Sequence, residues 1–70
     1  MIYKQVNKPN GGLADCVERL SDNAFIPFDP ANTDYQNFKK QINADEAQLE
    51  DADGNLMSPE QAKAYVATLP

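Results

Sequence analysis

Ala24-Phe25-Ile26-Pro27-Phe28-Asp29-Pro30-Ala31-Asn32-Thr33-Asp34-Tyr35-Gln36 is the stretch that decides the fold: an apolar run is cut by two prolines and passes directly into a helix start. Each proline holds its own φ near about −65° and pushes the preceding residue towards extended geometry, so Ile26 and Asp29 are expected extended and a strand is expected to end here. Thr33 followed three residues later by Gln36 reads as a capping box. Asp34 is placed to meet the positive end of the helix dipole. Pro27, Asp29, Pro30, Thr33, Tyr35, Gln36 and Phe38 together form a strand-to-helix handover motif.

Upstream of the handover the chain reads as strands. Ile2 to Val6 alternates apolar and polar residues, Asn7-Lys8-Pro9-Asn10-Gly11-Gly12 is dense in turn residues, and Leu13 to Leu20 precedes Ser21-Asp22-Asn23. Asp22-Asn23 suits a tight two-residue turn because both tolerate positive φ. The expectation is a three-stranded antiparallel meander with strands near 2-6, 13-20 and 24-28, apolar on one face.

Downstream it reads as helix, turn, helix. Tyr35, Phe38 and Ile42 recur at helical spacing, so residues 34-43 lay one stripe on the sheet. Ser58-Pro59-Glu60-Gln61 is the clearest helix start in the chain, with Ser58 as cap, Pro59 at the first helical position and Gln61 completing a capping box. Ala62, Tyr65, Val66 and Leu69 follow on one face. Residues 48-57 between the helices read as a small hairpin turning at Asp53-Gly54 or as an irregular acidic loop. The fold class is therefore α+β: a meander packed by one helix, then an acidic turn and a C-terminal helix. Residues 1-45 form the sheet-plus-helix core and 46-70 the acidic turn and second helix, within one domain.

Composition narrows the function classes. Seventy residues is near the lower limit at which a hydrophobic core alone offsets chain entropy. The single cysteine, Cys16, excludes an internal disulfide framework, and the absence of histidine removes the commonest metal ligand and general base. No stretch reads as a signal peptide or a membrane span, and the expectation is a soluble chain made in a reducing cytoplasm. The charges of residues 1-28 cancel, whereas residues 29-70 set eight acids against three lysines and account for the whole net charge of −5. No basic stripe with interleaved aromatics is present, so nucleic acid is not an expected partner, nor is a membrane.

Candidate chemistry is sparse. Asp51-Ala52-Asp53-Gly54-Asn55 resembles part of a calcium loop, but with Gly54 in the glycine place the first ligand position falls on Leu49, which cannot coordinate. An acidic surface turn is the plainer reading. Cys16 has no histidine partner and sits beside Val17 and near Leu20, as a small half-buried apolar residue would. The carboxylate pairs Asp45-Glu46 and Glu50-Asp51 lie on solvated sequence rather than in a dry pocket. No catalytic residue, cofactor site or metal site is assigned. Tyr3, Phe25 and Phe28 are the candidate partner contacts. Phe25 and Phe28 point to opposite sides of a strand, so one packs inside and the other faces out, and an uncovered edge of the first strand, carrying Tyr3, can accept a strand from another subunit.

The run from Leu20 through Phe38 resembles a segment of short tailed-bacteriophage proteins and of tail or tail-fibre associated chains, in which a strand ending in an Ile-Pro-x-Asp-Pro turn leads into an Asn-x-Asp-Tyr-Gln helix start. The likeness spans roughly residues 17-42. Beyond the helix this chain follows its own course, with Lys39-Lys40-Gln41-Ile42 and no tryptophan. The resemblance implies a non-enzymatic virion accessory protein of the tail or tail fibre, made in the host cytoplasm and docked in several copies on larger phage structural proteins. A capsid decoration or cement protein is the alternative within that class. A non-virion acidic regulator that binds a basic host protein is the alternative outside it.

Overall fold

The computed structural model describes residues Met1–Pro70, and they form an α+β domain of one mixed sheet and two helices. In chain order the elements are β1 (Ile2–Asn7), β2 (Leu13–Arg19), β3 (Ala24–Pro27), α1 (Thr33–Asn43), β4 (Gln48–Glu50) and α2 (Pro59–Val66). The first three strands form the expected antiparallel meander, with Lys4 opposite Glu18 and Glu18 opposite Phe25. The sheet does not stop there. β4 pairs in parallel with β1, Tyr3 opposite Leu49, so the strand order is β3-β2-β1-β4 and β1 is central.

Turn chemistry sets the connections. Gly11 and Gly12 at φ of 98° and 79° reverse the chain between β1 and β2, where Lys8 N–H donates to the Gly12 carbonyl at 2.9 Å. The β2-β3 connection is longer than the two residues expected: Arg19 pairs with Ala24, so Leu20 to Asn23 form the loop and only Asn23 takes a positive φ, 57°. The Asp22 carboxylate, hydrogen-bonded by Arg19, also accepts from the Ala24 N–H, which stabilises the wider loop.

The handover into α1 is capped one residue earlier than the Thr33-Gln36 box implied. Asn32 is the N-cap, extended at φ −81° and ψ 122°, and its side chain accepts from the Tyr35 N–H at 3.0 Å. Thr33 is the first helical residue. The Gln36 side chain reaches back to the Pro30 carbonyl at 2.7 Å, which ties the proline turn to the helix. Asp29 accepts from the Ala31 N–H at 3.0 Å and closes a turn across Pro30. At α2 the expected box is present in full, Ser58 and Gln61 each accepting from the other's backbone N–H.

Residues 50-56 resolve as a tight return. Glu50 bridges Leu56 in antiparallel fashion, and Asp51 Oδ1 accepts from the N–H groups of Asp53 and Asn55, both at 2.9 Å. Both helices lie on one face of the sheet over a core of Tyr3, Val17, Ile26, Tyr35, Phe38, Ile42, Leu49, Ala62 and Val66, drawn from the sheet and both helices alike. No helix is long and apolar enough to cross a membrane.

Candidate docking surface

The core explains which candidate residues turn outward. Strand alternation sends Tyr3, Val17, Ile26 and Leu49 to the helix side, where all four are buried. Tyr3 is therefore not a partner contact: it is 1% exposed, packs edge-on against Phe38 with ring centroids 4.8 Å apart, and donates its hydroxyl to Gln41 Oε1 at 2.7 Å. Nor does β1 offer a free edge at Tyr3, because β4 covers Ile2 to Lys4. Of the two phenylalanines, Phe28 turns inward against the core, 5.4 Å from the Tyr35 ring and 6.4 Å from that of Phe38. Phe25 turns outward and is 63% exposed.

Phe25 belongs to a larger surface. The same alternation places Ile2, Lys4, Val6, Cys16, Glu18, Phe25 and Glu50 on the sheet face away from the helices. One row across it reads Glu50, Lys4, Glu18, Phe25 from β4 to β3. The lysine thus stands between two carboxylates. Ile2 sits at the rim of exposure, and Val6 and Cys16 are half-buried. This face carries no helix to cover it. Burial pushes the Cys16 thiol up, with the Asp15 charge adding to it, so the group is held as a thiol and not activated as a thiolate.

The β3 edge adds main-chain groups. Phe28 N–H donates to the Asp15 carbonyl at 3.0 Å, and the antiparallel alternation from that pair turns the backbone of Phe25 and Pro27 away from β2. Pro27 has no N–H, so the proline falls where no donor to the ladder is required and limits what a further strand can pair with. Phe25 supplies the free amide and carbonyl on this edge.

Elsewhere the candidate residues serve the fold. Pro27, Asp29, Pro30, Tyr35, Gln36 and Phe38 build the strand-to-helix handover, and the Tyr35 hydroxyl donates to the Pro70 carbonyl at 2.8 Å. The Asp51 carboxylate is held below its ordinary value by the N–H groups of its own turn, first that of Asn55. It caps the loop at a position that a calcium loop would give to a ligand. No three acidic or cysteine side chains gather closely enough to share an ion. Ile2 and Val6 join the open face through the strand alternation that sends Tyr3 the other way, a signal present in the sequence.

Set beside models of known families, curated proteins and solved structures, the chain matches none of them.

Proposed function

We propose that this chain is a non-enzymatic docking protein of a tailed-phage virion, associated with the tail or tail fibre and bound in several copies to larger structural proteins through its open sheet face. The observation that carries the docking part is Phe25, 63% exposed and next to Glu18 on a helix-free face that also holds Ile2, Val6 and Cys16. An exposed large aromatic on an uncovered sheet face is the kind of side chain that a protein interface buries. The virion part rests on the resemblance of residues 17-42 to phage tail-associated segments.

Quantitative mass spectrometry of purified particles from the phage carrying this gene tests the whole reading. Retention through a high-salt wash, in fixed ratio to the tail proteins, supports it. A copy number that follows the coat protein moves the site to the capsid. Absence from particles with abundance in infected cells refutes it and favours the acidic regulator. Phe25→Ser separates docking from folding: the variant keeps its melting temperature because the side chain is outside the core, and is lost from particles.

A further inference from the structure

The sheet ends differently on its two sides. At the β4 end the Met57 N–H donates to the Leu49 carbonyl at 2.9 Å and Glu50 bridges Leu56, so that strand is covered by its own return. At the other end no strand pairs with the outer side of β3, where the Phe25 N–H, the Phe25 carbonyl and the Pro27 carbonyl point away from β2. Open edges in native sheets are commonly guarded by charged side chains. Asn23-Ala24-Phe25-Ile26-Pro27 holds none, and Asn23, Phe25 and Pro27 are all exposed. Glu18, the charge opposite Phe25, stands one strand further in, so two copies meeting at this edge bring no like charges face to face.

Hydrogen-bonding capacity selects the partner and the register. Across an antiparallel edge only the outward-facing residues exchange bonds, and here one of them, Pro27, has no N–H. Opposing Pro27 to Pro27 gives no bond, and opposing Phe25 to Pro27 leaves the Phe25 carbonyl without a donor. Opposing Phe25 to Phe25 about a two-fold axis uses the N–H and the carbonyl of both residues, in two reciprocal bonds. The strand is thus complementary to itself. A longer foreign strand gains little by running on, because Pro27 offers it no donor and Asn23, at φ 57°, leaves the extended conformation.

The geometry points to a second copy of this chain as the occupant of the β3 edge, joined antiparallel with Phe25 at the two-fold axis. Both Phe25 rings lie on the helix-free face, where they meet as a cross-strand aromatic pair, and the sheet continues from one copy into the next with four strands from each. With β3 used and β4 covered by its return, the assembly closes at two copies. The contact is short, so association is weak and depends on concentration. It goes beyond the docking reading, since it sets two open faces side by side as one bivalent surface and holds whether or not the chain belongs to a virion.

Sedimentation equilibrium of the purified chain over about 10 µM to 1 mM, the range of weak complexes, reads the association. The full chain is also prepared by chemical synthesis with the Phe25 amide N-methylated, which keeps the ring and removes the donor at the axis. The parent passes from monomer to dimer across the range. The methylated chain associates at least about tenfold more weakly, the scale of lost hydrogen bonds, and keeps its Tm because that amide lies outside the ladder. In an equal mixture of ¹³C-labelled and unlabelled parent, isotope-filtered nuclear Overhauser spectra join the Ala24 Hα of one copy to the Ile26 Hα of the other, the close non-bonded pair of this register. That arm reads the register in the unmodified chain, whatever methylation does to folding. A monomer throughout, growth beyond the dimer, equal association of the methylated chain, or contacts between copies in another register overturns the proposal. Every readout uses purified protein, so failure here is separate from failure to find the chain docked in particles.

Discussion

Phe38→Ala removes the side chain on which both layers of the domain close. Phe38 is fully buried, meets the Tyr3 ring edge-on at 4.8 Å and lies nearly parallel to Phe28 at 6.4 Å. Truncating a buried phenylalanine costs about 3–5 kcal/mol in lost transfer energy and residual cavity, and aromatic pairs each carry about 0.5–1.5 kcal/mol beyond their area. A chain of 70 residues has a total stability of about 4–10 kcal/mol at the usual increment per residue. The loss is therefore comparable with the whole. Phe38→Ala is expected to be largely unfolded at 37 °C, whereas Phe38→Leu, which keeps most of the volume, costs about 1–2 kcal/mol and stays folded. Urea denaturation followed by far-ultraviolet circular dichroism reads both midpoints. An alanine variant with a midpoint close to that of the parent would refute the packing argument, because no fully enclosed ring can be deleted without that loss.

Ser58→Ala breaks the reciprocal cap of α2 and is expected to cost about 1 kcal/mol, a fall in Tm of about 4–8 °C by calorimetry. The Asp22 carboxyl is held below its ordinary value, first by the Arg19 guanidinium, so its charged form is favoured in the fold. That stabilisation is complete above about pH 4 and is lost as pH falls through the folded value; Asp22→Asn should flatten the acid limb of the urea midpoint against pH. Burial pushes the phenols of Tyr3, Tyr35 and Tyr65 above the ordinary value, so their neutral forms are favoured. That contribution is present below about pH 10 and lost as pH rises through the folded values; phenolate absorbance should therefore appear together with loss of the circular dichroism signal, and ordinary titration of all three with the fold intact would contradict their burial.

Local chemistry made much of this legible. Ser58, Pro59 and Gln61 specify the start of α2 because all the partners lie within four residues, and the spacing of Tyr35, Phe38 and Ile42 identifies the buried stripe of α1. What was misread depended on distance or on competition between neighbours. The hairpin reading of residues 48-57 offered a short strand at Gln48-Leu49-Glu50, but its main partner, β1, lies at the other end of the chain, so the parallel pairing left no local signal. That omission propagated to Tyr3: with β1 taken as an edge, its tyrosine looked available. Asn32 and Thr33 are both good caps, and the one-residue choice went to Asn32 once Gln36 was drawn back to Pro30. The docking face was legible only in part. Alternation separates Phe25 from Phe28 and Ile2 from Tyr3, but which set is covered depends on where two distant helices land.

The parallel pairing of β1 with β4 has a consequence for the order of assembly. β2 and β3 join β1 through short local connections, whereas residues 48-50 must be synthesised before the other side of β1 can be closed. Contacts so distant along the chain form late and set the pace of folding. A nascent chain therefore passes through a stage in which the meander exists and the flank of β1 is bare, the kind of exposed strand that recruits a neighbouring copy. The three residues of β4 complete the sheet and also end that period of vulnerability.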